Sequence, residues 1–117
     1  MSARRPSRGA TKRGLQRTAP IFAALGDETR LRLVARLSSG GPMSIARLTA
    51  GASVTRQAVT KHLHVLADAG VACSSRIGRE SVWELERQPI EAARHCLEGI
   101  SARWDAALDR LKKFVER

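Results

Sequence analysis

Hydrophobic residues along this chain recur mainly at helical spacing. In TRQAVTKHLHVLADAG, residues 55–70, the apolar positions lie three or four residues apart, and polar and basic side chains occupy the opposite face. The preceding stretch APIFAALGDETRLRLVARLSSG shows similar spacing on both sides of Gly26 and Asp27. Asp27 is a favourable N-cap, so this stretch predicts two helices.

A short helix is predicted for MSIARLTAG, with Ser44 as its N-cap and Gly51 at its end. Only ASV separates it from the helix of residues 55–70, which Thr55 can cap and which Gly70 can end in a left-handed conformation. Two helices joined by such a short link are typical of a helix-turn-helix.

After Gly70 the hydrophobic period changes from 3.6 residues to 2. VACSSRI and SVWELE flank GRE, which predicts a hairpin with its turn at Gly78. From Pro89 onward one long helix is predicted from a seam of apolar residues: Ile90, Leu97, Ile100, Trp104, Leu108, Leu111 and Val115. The element order is α-α-α-α-β-β-α, a mainly α fold with a small β-hairpin. It is the order of a winged helix-turn-helix.

Length and charge narrow the function. At 117 residues the chain is one domain, and its net charge of +10 favours a polyanionic partner. Residues 1–17 are poor in apolar and free of acidic residues, so we expect a disordered basic tail, followed by the folded domain over residues 18–117. The tail's basic residues are Arg4, Arg5, Arg8, Lys12, Arg13 and Arg17. These residues support two roles for the tail equally well, contacts with DNA phosphates and solubility.

Two observations bear on the compartment. No apolar run approaches the roughly 20 residues needed to span a bilayer, and no apolar segment follows the basic N-terminus as in a signal peptide. The two cysteines, Cys73 and Cys96, form no CxxC pair. We therefore expect a cytoplasmic protein with no membrane partner and no zinc finger.

Three stretches resemble the ArsR-type winged-helix repressors of bacteria: LGDETRLRLVARL, TRQAVTKHLHVLADAGV and RIGRESVWEL. The second is the most specific, because eight residues fall in register with that family's recognition helix: Val59, Thr60, His62, Leu63, Leu66, Ala69, Gly70 and Val71. The resemblance covers about residues 19–115. It implies a homodimer that occupies operator DNA and leaves it on receiving a signal.

The polar face of residues 55–70 suits DNA. A helix in the major groove contacts base edges mainly through its first turn, where Arg56 and Gln57 can pair with guanine and adenine. Thr60 and Lys61 suit a thymine methyl or a phosphate, and hairpin arginines suit the minor groove. The predicted DNA-binding residues are Thr55, Arg56, Gln57, Thr60, Lys61, His64, Arg76 and Arg79.

Simpler interpretations compete with some of these assignments. A polar, basic helix face is often only solvated surface, and Glu80 weakens the potential beside Arg76 and Arg79. His62 lies off the polar face, and we expect it to make structural hydrogen bonds at the helix-turn-helix junction.

The last helix predicts dimerisation, because its seam is too long for a monomer of this size to cover. We expect the two terminal helices to form the interface, through Ile21, Phe22, Leu25, Leu97, Ile100, Trp104, Leu108 and Leu111. A dimer would present two recognition helices about one DNA turn apart, and its operator would be an imperfect palindrome in double-stranded DNA. The alternative is a helix that folds back on its own protomer.

The sequence says less about the signal that would release the protein from DNA than about DNA binding itself. Glu91, His95 and Glu98 form a helical ladder without a second histidine, and a solvated Glu91–His95 pair is the simpler interpretation. We expect no metal and no cofactor. A redox switch through Cys73 and Cys96 is an alternative, although small buried residues explain both cysteines. The chain resembles ArsR proteins without a recognised metal site, whose inducers are small organic molecules or are unknown.

The sequence predicts a DNA-binding regulator and no enzyme, because it has no paired-carboxylate pocket, nucleophile triad or phosphate-cradling glycine loop. We expect a sequence-specific homodimeric repressor of its own operon that excludes polymerase. The alternatives are a sequence-indifferent, nucleoid-type DNA-binding protein and a protein-interaction module. A repressor would prefer its operator by roughly 10³ or more.

Overall fold

A computed structural model of the chain describes residues 11–116. Within this range the elements are α1 (Lys12–Leu25), α2 (Glu28–Gly40), β1 (Met43–Ser44), α3 (Ile45–Ala50), α4 (Arg56–Asp68), β2 (Ala72–Ile77), β3 (Glu80–Leu85) and α5 (Arg87–Val115). The predicted winged helix-turn-helix is confirmed, with one short strand added. No helix in these residues is both long and apolar enough to span a membrane.

Side-chain caps fix the starts of the first four helices. Asp27 Oδ2 accepts a hydrogen bond from the Arg30 amide at 3.0 Å, Ser44 Oγ accepts one from Arg47, and Thr55 Oγ1 accepts one from Ala58. These three caps are as predicted. Thr11 caps α1 in the same way, through the Gly14 amide. Each cap satisfies one amide that has no acceptor within its helix.

The domain begins earlier than predicted. Residues 12–17, assigned to the disordered tail, form the first turns of α1, so that part of the prediction is wrong. The Thr11 cap and good helix formers such as lysine, arginine and glutamine explain the extension. Residues 1–10 of the predicted tail lie outside the described residues. The last helix, α5, begins at Arg87, two residues before the predicted start at Pro89. Pro89 is the third residue of the helix, where a proline costs no hydrogen bond.

The end of α4 is as predicted from the sequence. Gly70 has a φ of 79°, its amide donates to Ala67 O, and the Val71 amide donates to Leu66 O at 2.9 Å. This is a Schellman motif, which requires a left-handed residue that glycine adopts without strain. It directs the chain from α4 straight into the wing.

The sheet has the strand order β1-β3-β2 and is antiparallel. β2 and β3 form the predicted hairpin, which pairs from Ala72 opposite Leu85 to Ile77 opposite Glu80 and turns at Gly78 with a φ of 65°. The unpredicted strand β1 pairs Met43 with Trp83. It attaches the entrance of the helix-turn-helix to the wing.

The core is centred on α4. Val59, Leu63 and Leu66 have no exposed surface, and they belong to one cluster with buried side chains from α2, α3 and β3. These contributors are Leu33, Leu37, Leu48 and Trp83. Burial of its apolar face fixes which face of α4 remains outside.

Candidate nucleic-acid interface

The polar face of α4 is presented as one open surface. Thr55, Arg56, Gln57, Thr60, Lys61 and His64 together line a shallow concavity along the helix. All are exposed except Thr60, which is half-buried and donates its hydroxyl to Arg56 O at 2.9 Å. The structure therefore brings together all six residues that the sequence singled out on this helix.

His64 has a contact that the sequence did not predict. Its ring stands edge-on to the ring of Trp83, with centroids 5.7 Å apart and an interplanar angle of 86°. Trp83 lies on β3 and is only 4% exposed. An edge-to-face pair of this kind restricts the ring of His64, so the wing positions one side chain of the α4 face.

Two further cations lie on the wing. Arg76 is exposed on β2, and Arg79 is exposed in the turn that follows. Side chains alternate along a strand, so Arg76 shares the face of β2 that Ser74 presents opposite Trp83. The α4 helix contacts that side through His64.

The charges on this surface are not neutralised by neighbouring acids. Within residues 11–116, the ion pairs join other residues, and none includes Arg56, Lys61, Arg76 or Arg79. In this part of the chain, four cations without an ion pair lie on α4 and the wing and give this surface an excess of positive charge, which Glu80 beside Arg79 partly reduces. Such a surface suits a polyanion with a groove wide enough for a helix, as in double-stranded DNA.

Comparison with known proteins agrees with this geometry. A helix-turn-helix domain family matches residues 25–72. The chain is 39% identical over 77 residues to the uncharacterised HTH-type transcriptional regulator YuzN of Bacillus subtilis, which covers 61% of this chain and 84% of YuzN. It is 33% identical to the solved ArsR-like transcriptional regulator from Rhodococcus sp. RHA1, with a TM-score of 0.71 over 86% of this chain and 93% of that one. The chain belongs to the ArsR family.

This ArsR-family chain is thus a DNA-binding transcriptional regulator, and the resemblance noted in its sequence is confirmed. Its fold also matches the homodimeric winged helix-turn-helix domain Mb0332 from Mycobacterium bovis, with a TM-score of 0.62 and coverage of 94% of this chain and 95% of that one. At 18% identity, this second structure supports the fold alone.

A polar junction holds the α4 helix of the ArsR-family chain against α2. Nη1 of Arg30 lies 3.2 Å from Nδ1 of His62, and Arg30 Nε donates to Ala24 O. Asp27 Oδ2 lies 3.9 Å from the same histidine nitrogen. The hydrogen bond from the Arg30 amide lowers the pKa of Asp27, and the charge of Arg30 lowers it further. The expected structural hydrogen bonding of His62 is confirmed.

The terminal helices divide into a packed part and an exposed part. α1 packs against the start of α5, where Ala93 and Cys96 are buried. Beyond them α5 carries an exposed apolar stripe, which comprises Leu97, Ile100, Trp104, Leu108, Leu111, Phe114 and Val115. The alternative of a helix folded back on its protomer therefore holds only for the first turns of α5.

Three α1 residues had been assigned to the dimer interface. Ile21 is only 7% exposed and lies in the protomer's own core, so its assignment to the interface is wrong. Helical spacing marks it as apolar but does not distinguish the face toward α5 from a face toward a second protomer. Phe22 and Leu25 are half-buried against the core and keep some free surface.

Acidic and thiol groups of this ArsR-family chain have local partners. Arg94 pairs with both Glu91 and Glu98 at 2.8 Å, and its hydrogen bond lowers the pKa of Glu91. Arg94 was not singled out in the sequence, where His95 had been paired with Glu91. No group of three or more His, Cys, Asp or Glu side chains in residues 11–116 is placed to hold a metal ion.

Within residues 11–116, neither Cys73 nor Cys96 forms a disulfide. Cys96 is buried in α5 beside the hydroxyl of Thr18, whereas Cys73 is half-buried on β2. Burial raises the pKa of the Cys73 thiol, and the carboxylates of Glu86 and Glu84 raise it further. A raised pKa disfavours the reactive thiolate at Cys73.

Proposed function

We propose that this protein is a sequence-specific homodimeric repressor of its own operon that acts in the cytoplasm and is released from DNA by an inducing signal. The observation that carries the proposal is the exposed face of α4. It presents six hydrogen-bonding side chains on one concave surface, while its opposite face is buried in the core. A rigid helix with that division suits insertion into the major groove.

The residues of this surface fall into groups according to the part of DNA that each can contact. Arg56 and Gln57 lie in the first turn of α4, where they can meet guanine and adenine edges. Lys61 and His64 lie one or two turns further along and suit the phosphate backbone, to which Lys61 brings a full charge. Arg76 and Arg79 on the wing suit the neighbouring minor groove.

The exposed stripe of α5 supports a dimer. Its most central large residue, Trp104, is 63% exposed, and the stripe covers residues 97–115 of α5, about 27 Å at the usual helical rise. A contiguous apolar face of that length typically marks an association surface. The structurally similar domain Mb0332 is itself homodimeric. A two-fold dimer would bind an imperfect palindrome with half-sites about one DNA turn apart.

Fluorescence anisotropy with two labelled duplexes tests the proposal. One duplex carries the region upstream of the protein's own gene, and the other is a scrambled duplex of the same length and composition. We expect a preference of roughly 10³ or more for the upstream duplex, maintained at physiological salt. Equal affinities that fall together as salt rises would favour a sequence-indifferent, nucleoid-type protein, since non-specific binding is almost entirely electrostatic. An interaction module would bind neither duplex.

A further inference from the structure

Ile77 is an exposed apolar side chain that the proposed dimer does not cover. It is the last residue of β2 and is 64% exposed at the tip of the wing. Most other large apolar side chains that are exposed lie on α1 and α5. Removal of such a side chain from water is favourable, so a partner that encloses the wing tip gains affinity from it.

The backbone holds Ile77 firmly at that tip. Pairing of the two wing strands continues to Ile77 opposite Glu80, and Gly78 closes the turn with a φ of 65°. Alternation along β2 puts Ile77 on the face opposite Arg76, and Arg79 follows in the turn. The tip therefore presents Ile77 on one face of the hairpin and Arg76 on the other, with Arg79 in the turn between the strands.

We propose that Ile77 enters the minor groove beside each half-site and selects A·T pairs there. The inference rests on the proposed function, because it requires α4 in the major groove, from which the wing of the same protomer can reach the adjacent minor groove. Arg76 and Arg79 draw the tip between the two phosphate backbones. Ile77 then packs against deoxyribose and the base edges, as apolar wedges do in minor-groove binding proteins.

The chemistry of the groove floor gives the selectivity. A G·C pair places the guanine N2 amino group in the minor groove, whereas A·T pairs show only acceptors there. An isoleucine packed onto that amino group would cover a donor without supplying an acceptor, which is unfavourable. Glu80 lies directly across from Ile77 on the same face, and phosphates repel its carboxylate. Arg79 in the turn must therefore offset this repulsion, and the apolar contact of Ile77 supplies the selectivity between A·T and G·C pairs.

Inosine isolates this contact, because an I·C pair lacks the minor-groove amino group and keeps the major-groove pattern of G·C. We would place A·T, G·C or I·C pairs at the flanking positions that the protein protects from hydroxyl radicals. The half-sites stay unchanged, and binding is followed by anisotropy. We expect G·C flanks to weaken wild-type binding about tenfold and I·C flanks to restore it.

Variants assign the effect to the side chain. Ile77→Ser should reduce the preference for I·C over G·C to within about twofold, and Ile77→Val should keep it. Leu31→Ser is the matched control, since Leu31 is a 50% exposed leucine on α2 and not part of the wing hairpin, and this variant should behave as wild type. Circular dichroism verifies that each variant is folded.

The outcomes separate the two proposals. If wild-type protein prefers its operator but binds G·C and I·C flanks equally, the assignment of Ile77 is wrong and the proposed function stands. The same holds if folded Ile77→Ser keeps the full preference, because Arg76 and Arg79 would then account for it. If the operator itself is not preferred over scrambled DNA, the proposed function fails first.

Discussion

His64 on the recognition helix stands edge-on to Trp83 on the wing, with ring centroids 5.7 Å apart. The two residues come from different elements and have opposite exposures, since Trp83 is buried and His64 is open to solvent. The contact therefore couples the position of the wing to a side chain on the surface that we propose binds DNA. Removal of the exposed His64 ring should therefore disturb DNA binding more than folding, whereas a change of the buried Trp83 also affects the core.

Substitution of Trp83 tests that coupling. Trp83→Phe keeps an aromatic ring opposite His64, whereas Trp83→Leu keeps only apolar bulk. Aromatic pairs contribute about 0.5–1.5 kcal/mol beyond burial, so we expect operator affinity to fall roughly two- to tenfold for the leucine variant and less for phenylalanine. In a double-mutant cycle, His64→Ala and Trp83→Leu should not be additive. Fully additive losses would show that the two rings act independently.

Arg56 and Lys61 should respond differently to removal. Arg56→Ala should reduce discrimination at one base pair by about 1–3 kcal/mol, because it removes a bidentate base contact. Lys61→Ala should weaken all sequences alike and flatten the salt dependence by about one, because it removes a phosphate contact. Anisotropy titrations on operator and scrambled duplexes at several salt concentrations separate the two effects. Equal loss of specific and non-specific binding in both variants would contradict this division.

The apolar stripe of α5 predicts a concentration-dependent dimer. Trp104→Asp places a charge at its centre, and we expect this variant to sediment as a monomer at micromolar concentration where the wild type is dimeric. Leu31→Asp introduces the same charge at another exposed leucine, on α2, and should leave the dimer intact. A wild-type protein that sediments as a monomer would overturn the dimer itself.

Asp27 predicts a specific loss of stability in acid. Its pKa is lowered in the folded protein, so its ionised form is bound more favourably in the folded than in the unfolded state. That contribution is fully present above the ordinary pKa of about 4 and is lost as pH falls through the lowered value. Asp27→Asn keeps a good N-cap and removes the charge.

Urea unfolding of both proteins between pH 7 and pH 2.5 measures this contribution. The wild type should be more stable than Asp27→Asn by a constant margin above about pH 5, and the margin should shrink below about pH 4. A margin that stays constant down to pH 2.5 would show that the charge of Asp27 has no role in folding.

Local signals account for the parts of the fold that the sequence predicts. The caps at Asp27, Ser44 and Thr55 and the left-handed Gly70 depend on residues within a few positions, and all four are found. The two residues of β1 carry no such signal, because their pairing with β3 spans about forty residues. The start of α1 was missed because its exposed face is charged and resembles a solvated tail.

The candidate site divides in the same way. Helical periodicity identifies which side chains leave the core, so the six residues of the α4 face could be chosen from spacing alone. The ring contact of His64 depends on the register of the wing, which brings Trp83 to α4 from nineteen residues further along the chain. Ile21 shows the opposite limit, since spacing marks a residue as apolar without naming the surface that covers it.

Ser44 takes part in two structures at once. It pairs with Val82 in the sheet, and its hydroxyl caps α3. Ser44 thus connects α3 to the wing, and the Trp83 contact connects α4 to it. Each protomer of a dimer would therefore bind DNA as one rigid body. A conformational change within one protomer would have to break these contacts. A signal that releases DNA would then act most readily on the interface between the two protomers. A change there alters the spacing of the two α4 helices, which must match the fixed pitch of the double helix.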